Sequence, residues 1–245
     1  MKSSTVLVVR PDGHFSSILR DEGFDVVNLG LIRAEPLEDL SEADSVLTSL
    51  DAYDGLFFTS PMSAGVFGER VMLKRPDYDG KIYALGERAR KVLTSLGFDV
   101  VFKESANTAE DLIRSFEASE FAGKRFLYVR GDKSLRTIPE LLDGRAAVDE
   151  IVVYRTLEVE AGNLEISDVR KRLSNGGFDW ICFFSPSGVD SFLGRFEANG
   201  ASAAAIGETT AAHARNAGFQ VDFVSPTANA HDFARELARH IKNIE

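Results

Sequence analysis

Two short phrases place hydroxyl side chains where they can meet an anion. FFTSPMS spans residues 57–63 and follows YDGL, and FFSPSG spans residues 183–188 and follows WIC. Each is an apolar run that stops at Ser-Pro. Ser60 and Ser185 fit the N-cap of a helix, and Pro61 and Pro186 fit its first position, where a missing N–H costs nothing. A helix start offers unpaired N–H groups and about half a positive charge, so it can hold a carboxylate or a phosphate. Ser63 and Ser187 belong to the same turns and count as further ligand donors. The bland reading is a pair of structural caps. Neither capping serine lies in a GxSxG elbow or has an evident histidine partner, so neither is expected to be a nucleophile.

Other residues of the right type also fall at the ends of apolar runs. TVLVVRPDG (5–13) and RFLYVRGDK (125–133) both end in Val-Arg, at Arg10 and Arg130. LGERAR and IGETTA supply Gly86 and Gly207, the second followed by Thr209 and Thr210. Those threonines can bind a carboxylate or merely cap a helix. Copy one has Arg88 and Ala89 there instead, so the two loops are not chemically symmetric. Among the histidines, His213 falls on the apolar face of its helix pattern and reads as a core residue. His231 and His240 read as solvated, and His14 lies nearer the strand ends. The Arg-Gly-Asp at 130–132 reads as a turn, not an adhesion signal.

These residues sit on a repeat. LGERARKVLTSLGFDV (85–100) aligns with IGETTAAHARNAGFQV (206–221), Asp111 matches Asp232, and Ser60 matches Ser185 after a short indel. The duplicated stretch runs from about 54–116 to about 179–241. A long period seen only twice means two related domains, not a solenoid. In each copy an apolar run reads as a buried strand, and a helical stripe follows: Ala64, Phe67 and Val71 in one, Val189, Phe192, Leu193 and Phe196 in the other. Gly97 and Gly218 suit the C′ position that closes a helix. Thr108 and Asn229, each with an acid three residues on, suit N-caps. Strands alternating with helices at this spacing predict parallel sheets covered on both faces.

The Arg10 piece precedes everything, whereas the Arg130 piece follows the first long repeat. One topology reconciles that order. Residues 1–33 and 162–245 form a discontinuous domain 1, residues 38–153 form domain 2, and 34–37 and 154–161 are crossings able to pair as a two-strand connector. Ligands of open parallel sheets bind beyond the carboxyl ends of the strands. Arg10, Ser60, Gly86, Arg130, Ser185 and Gly207 all fall at such ends, so these ends are expected to line a ligand cleft.

Composition narrows the partners. The chain has 245 residues, 44% hydrophobic and 27% charged, enough for one or two domains with real cores. A net charge of −10 without a basic stripe argues against nucleic acid. No apolar run approaches the ~20 residues that span a bilayer, so no membrane association is expected. The start MKSSTVLVVRP has no apolar h-region, and Cys182 is the single cysteine, so a cytoplasmic location is expected. The chain contains no GxxxxGK, no GxGxxG after a strand, no HExxH and no Cys/His cluster, so neither a cofactor nor a metal is expected. Nothing resembles a coiled coil or a dimer strand, and a monomer is expected.

The ordered set VVRP (8–11), IRAEP (32–36), FFTSP (57–61), LGE (85–87), TAEDL (108–112), LYVRGD (127–132), VVYRT (152–156), FFSPSGV (183–189), AIGETTA (205–211) and SPTANAHDF (225–233) resembles the uroporphyrinogen-III synthase family along essentially the whole chain. The resemblance implies an α/β fold of two similar domains, each a parallel sheet flanked by helices, flavodoxin-like (HemD-like), joined by a two-strand β connector. It also implies a small-molecule polycarboxylate substrate, hydroxymethylbilane, closed to uroporphyrinogen III with inversion of ring D and loss of water in haem biosynthesis, without a cofactor. The family's functional tyrosine falls on Tyr154 in VVYRT, where a phenol can donate a proton to a departing hydroxyl or hydrogen-bond a carboxylate. Arg10, Ser60, Ser63, Gly86, Arg130, Ser185, Ser187, Gly207, Thr209 and Thr210 are the expected substrate-binding residues. The alternative is a non-catalytic two-domain binder of a polycarboxylate or tetrapyrrole that kept the fold and lost the chemistry.

Overall fold

Alternation along the strands decides the layers. The computed structural model describes residues 3–74, 78–159, 163–197 and 200–244. Strand β1 (Thr5–Val8) is buried throughout. Val6 and Val8 join one apolar cluster and Leu7 joins another, so the strand is covered on both faces. Helix α1 (His14–Asp21) and β2 (Asp25–Asn28) follow. The chain then runs through β3 (Ile32–Pro36), α2 (Ser41–Leu47), β4 (Gly55–Phe58), α3 (Pro61–Lys74), β5 (Lys81–Ala84), α4 (Glu87–Ser95), β6 (Val100–Phe102), α5 (Ala109–Arg114), β7 (Arg125–Gly131), α6 (Thr137–Leu142) and β8 (Ala147–Glu158). It ends with α7 (Asn163–Ser174), β9 (Trp180–Phe183), α8 (Pro186–Leu193), β10 (Ser202–Ala205), α9 (Glu208–Asn216), β11 (Val221–Val224) and α10 (Ala230–Ile244).

Two compact units result, Met1–Arg33 with Leu157–Glu245, and Ala34–Thr156. The first holds the sheet β11-β10-β9-β1-β2 and the second holds β3-β8-β7-β4-β5-β6. The pairings are parallel through both sheets, apart from β3 on β8. There the Leu37 N–H donates to the Val153 carbonyl at 3.0 Å and the Val159 N–H to the Leu31 carbonyl at 2.8 Å. That pattern is antiparallel. Of the crossing expected at 154–161, Glu160 and Ala161 lie outside the described residues.

Each unit has a core on either side of its sheet. In the first, Leu7, Ile181, Phe183 and Ala203 meet Val189 and Phe192 of α8 and Ala214 of α9, while Val8, Cys182 and Ala204 meet Phe15 of α1 and Phe233 of α10. In the second, Phe58, Ala84 and Val129 meet Phe67 of α3 and Leu93 of α4, while Phe57, Tyr83 and Tyr128 meet Leu112 and Leu142.

The repeated Ser-Pro phrase is repeated in three dimensions. Phe67 lies seven residues after Ser60 and its ring centroid is 5.9 Å from that of Phe58, while Phe192 lies seven after Ser185 and is 5.6 Å from Phe183. The cap thus fixes the helix start, and two turns later the helix is tied to the strand that fed it. Gly97 and Gly218 close α4 and α9 with φ of 91° and 92°. In both, the following phenylalanine N–H returns to the carbonyl of Leu93 or Ala214, the Schellman pattern.

Among the described residues no helix is long and apolar enough to cross a membrane. Among the same residues no group of three or more His, Cys, Asp or Glu is arranged to hold a metal.

Candidate functional site

Strand order reverses once in each unit. In the first, β1 leads outward to β2 and β9 leads the other way to β10 and β11, so the switch point lies between β1 and β9. In the second, β4 leads to β5 and β6, and β7 leads to β8, so it lies between β4 and β7. Crevices beyond the carboxyl ends at such points are where open α/β sheets take ligands.

In the first unit, Ser185 is the N-cap of α8. Its Oγ accepts from the Gly188 N–H at 3.1 Å and lies 3.1 Å from Ser187 Oγ. Both hydroxyls are half-buried. Arg10, at the end of the neighbouring strand, lays its guanidinium 4.6 Å from the ring centroid of Phe184, the residue before the cap. Arg10 and Ser185 therefore flank the switch point. Gly207 begins α9 in extended conformation, with φ 179°. Thr209 is exposed, whereas Thr210 is 4% exposed and sits in the packed phase of the helix. Of the two threonines, Thr209 is thus the one whose side chain is open to a ligand here.

In the second unit, Ser60 Oγ accepts from the N–H groups of Met62 and Ser63 at 3.1 and 3.2 Å, again capping a helix start. Ser63 is fully buried, and its hydroxyl donates to the Ser60 carbonyl at 3.0 Å. It shapes the turn. Gly86 precedes α4 with φ 83°, a left-handed conformation in which a side chain would be strained. Arg88 is exposed where copy two has Thr209, and Ala89 is buried where copy two has Thr210. The asymmetry seen in the sequence is thus a cation facing solvent in one unit and a hydroxyl in the other.

Arg130 is not a free cation at its strand end. Its Nε lies 2.7 Å from Glu150 Oε2, with the two side chains only 16% and 17% exposed. Its Nη1 donates to the carbonyls of Gly131, Asp132 and Ser134 at 3.0, 3.4 and 3.3 Å. It shares the Glu150 carboxylate with Arg136, and its Nη1 is engaged by the β7–α6 turn, so it helps to build that turn. Arg136 is also spent, at 2.6 Å from Glu150 Oε1.

Tyr154 is half-buried at the edge of the α3-side core. Gly131 is its partner across β7 and β8, beside a register shift between Arg130 and Gly131. Two bonds to Asp132 hold the backbone at and just after it. Its carbonyl accepts from the Asp132 N–H at 3.1 Å, and the Thr156 N–H donates to Asp132 Oδ1 at 2.9 Å.

Sequence reasoning passed over Thr59 and Tyr128. Their hydroxyls are 2.9 Å apart and bridge β4 and β7 across the switch point. Burial first, with the nearby Tyr154 adding to it, pushes the Tyr128 phenol above its ordinary pKa, so it stays protonated as a donor. The signal was available, since Thr59 precedes Ser60 as Phe184 precedes Ser185. His213, read as a core residue, is instead half-exposed with Nε2 2.7 Å from Asp190 Oδ1. His240, read as solvated, lies against Trp180 and Phe223, with centroids at 5.7 and 5.2 Å. His14 and His231 stack at 5.6 Å.

Fold and site define an α/β protein of two parallel-sheet units, each with a serine-capped helix start beside its switch point. A family model described as uroporphyrinogen-III synthase HemD matches residues 13–235, and the chain belongs to that family. It is 29% identical to a uroporphyrinogen-III synthase of Chlorobaculum parvum, over 97% of this chain and 99% of that protein. It is 26% identical to one of Schizosaccharomyces pombe, over 97% and 96%. Among solved structures, a mutant uroporphyrinogen III synthase of Thermus thermophilus superposes with a TM-score of 0.69 at 17% identity, covering 98% of this chain and all of that one. The Helicobacter pylori enzyme gives 0.61 at 20%, covering 97% and 99%. At these identities the superpositions speak for the fold.

Proposed function

We propose that the chain closes hydroxymethylbilane to uroporphyrinogen III as a cyclising lyase of haem biosynthesis. Family membership carries this reading. The hydroxyl of the terminal hydroxymethyl group leaves as water to give an azafulvene, ring D attacks its methylene carbon through the substituted position, and the resulting spiro intermediate reopens to the inverted isomer. Tyr154 is the proposed proton donor to the departing hydroxyl. The backbone bonds to Asp132 at and after Tyr154 support that role, because a general acid must be held within hydrogen-bond reach of the group it serves.

Arg10, Ser60, Ser185, Ser187 and Thr209, with the backbone at Gly86 and Gly207, are the proposed carboxylate-binding groups, and Arg88 joins them. The two capped helix starts supply fixed dipoles for this purpose. Most of the acceleration on this reading is orientation and electrostatic positioning, since the free bilane closes by itself to the wrong isomer. No metal, nucleotide or redox group enters the scheme, and the proposed setting is a cytoplasmic monomer. The test is to incubate the protein with hydroxymethylbilane and resolve the type I and type III products. Type III product in excess is expected, and type I alone, at the spontaneous rate, overturns the reading.

A further inference from the structure

The turn from Gly131 to Arg136 carries more internal bonds than a connection of that length needs. Arg130 Nη1 donates to three of its carbonyls. Ser134 N–H donates to the Gly131 carbonyl, and Gly131 N–H donates to Ser134 Oγ, both at 3.1 Å. Asp132 Oδ1 accepts from Lys133 N–H at 2.8 Å and from Thr156 N–H. Tyr128 donates its phenol to the Leu135 carbonyl at 3.4 Å while contacting Thr59 on the neighbouring strand. Arg136 is fixed by Glu150. Ordering a turn costs conformational entropy, and little of this order serves the core, which begins again at the buried Ile138 of α6.

Besides holding the backbone at Tyr154, the ordered turn presents Leu135 to solvent. That side chain is 54% exposed, one of a few large apolar residues so placed among the described residues, and it stands at the carboxyl end of β7 beside the switch point. Lys133 is exposed two residues before it. A rigid apolar side chain next to a cation suits a ligand with flat apolar rings and carboxylates on their rims, because the ordering has been completed before binding. We propose that Leu135 is a binding residue that packs on a pyrrole face of the tetrapyrrole, with the Arg130-built turn as its support. This rests on the reading of the chain as a uroporphyrinogen-III synthase.

The test compares Leu135→Ser and Leu135→Met with Leu73→Ser, which changes a 73% exposed leucine on α3. Two readouts are used: KM and kcat for type III formation, and the Kd for uroporphyrin III by fluorescence, which needs no turnover. Leu135→Ser should raise KM and Kd about three- to tenfold, the order expected for losing one half-buried leucine contact. It should leave kcat and Tm unchanged, because uniform binding is what is lost. Leu135→Met should stay near wild type, as should Leu73→Ser. Wild-type KM and Kd in Leu135→Ser would overturn the proposal, and so would an equal rise in Leu73→Ser. If wild type makes no type III product but Leu135→Ser still weakens porphyrin binding, the contact stands and the catalytic reading falls.

Discussion

Gly131 makes room for Tyr154. A Cβ at residue 131 would fall well inside van der Waals contact distance of Cζ and Cε2 of the Tyr154 ring and 2.7 Å from its hydroxyl. The φ of Gly131 is not positive, so the need for glycine here is steric and not conformational. The phenol's position is therefore set by the absence of one methyl group on the neighbouring strand. Gly131→Ala should cost about 1–3 kcal/mol, as overpacking does, and should lower type III formation by displacing the ring. Tyr154→Ala should relieve the crowding. A double-mutant cycle by urea unfolding should then show coupling of at least about 1 kcal/mol. Additive losses would mean that the ring moves aside freely.

Tyr154→Phe separates the phenol from its ring. The ring still fills the space over Gly131, so the fold and Tm should stay close to wild type. A general acid contributes about 10²- to 10⁴-fold, and spontaneous closure competes, so the isomer ratio is as informative as the rate. Type III formation should fall by at least about tenfold, below which the phenol would serve only to orient a carboxylate, and type I product should rise. Wild-type rate and ratio would remove Tyr154 as the proton donor.

Burial of both sheet faces, the helix stripes and the Gly97 and Gly218 closures follow from local pattern, and all were legible in the chain. Each depends on residues within a few positions of one another. The site is legible only in part, for a physical reason. Whether Arg130 is a ligand or a strut depends on Glu150, and whether residue 131 tolerates a side chain depends on Tyr154, both contributed by the next strand. Helix phase turns Ser63 and Thr210 inward. The alignment pairs Thr210 with the apolar Ala89, which already marked that position as inward. His213 lies at the edge of the apolar stripe, close enough to the rim of α8 for Asp190 to claim it.

Glu120 gives a pH dependence far from the proposed chemistry. It accepts from Lys81 Nζ at 2.6 Å and from the buried Tyr83 hydroxyl, and these bonds, Lys81 first, hold its pKa below the ordinary glutamate value. A depressed carboxylate stabilises the fold fully above its unfolded pKa of about 4.3 and loses that contribution as pH falls through the lowered folded value. Glu120→Gln should therefore be less stable than wild type near neutrality, and the two unfolding curves should converge below about pH 4.3. Chemical unfolding between pH 3 and pH 7 measures this, and a difference that is constant across the range would show that ionisation of Glu120 is not the source.

Arg10 and Arg130 occupy matching places in the repeat and should respond differently to the same substitution. Arg10 lies over an aromatic ring beside a capped helix start, so Arg10→Gln should raise KM about tenfold, the order expected for a charge-assisted contact, with a smaller fall in kcat. Arg130→Gln leaves Glu150 with Arg136 as its remaining ion-pair partner and removes the donor that organises the 131–134 carbonyls. It should cost roughly 2–4 kcal/mol, below the ~3–5 of a fully buried pair because both side chains keep some exposure. Arg130→Lys should recover only part of this, because an ammonium cannot reproduce the planar fork that serves Glu150 and the turn together. Adding Glu150→Gln to Arg130→Gln should recover some of the stability, since the half-buried carboxylate is then gone and Arg136, 62% exposed, stays solvated. Equal KM effects with unchanged Tm in Arg10→Gln and Arg130→Gln would return Arg130 to the role of a carboxylate ligand.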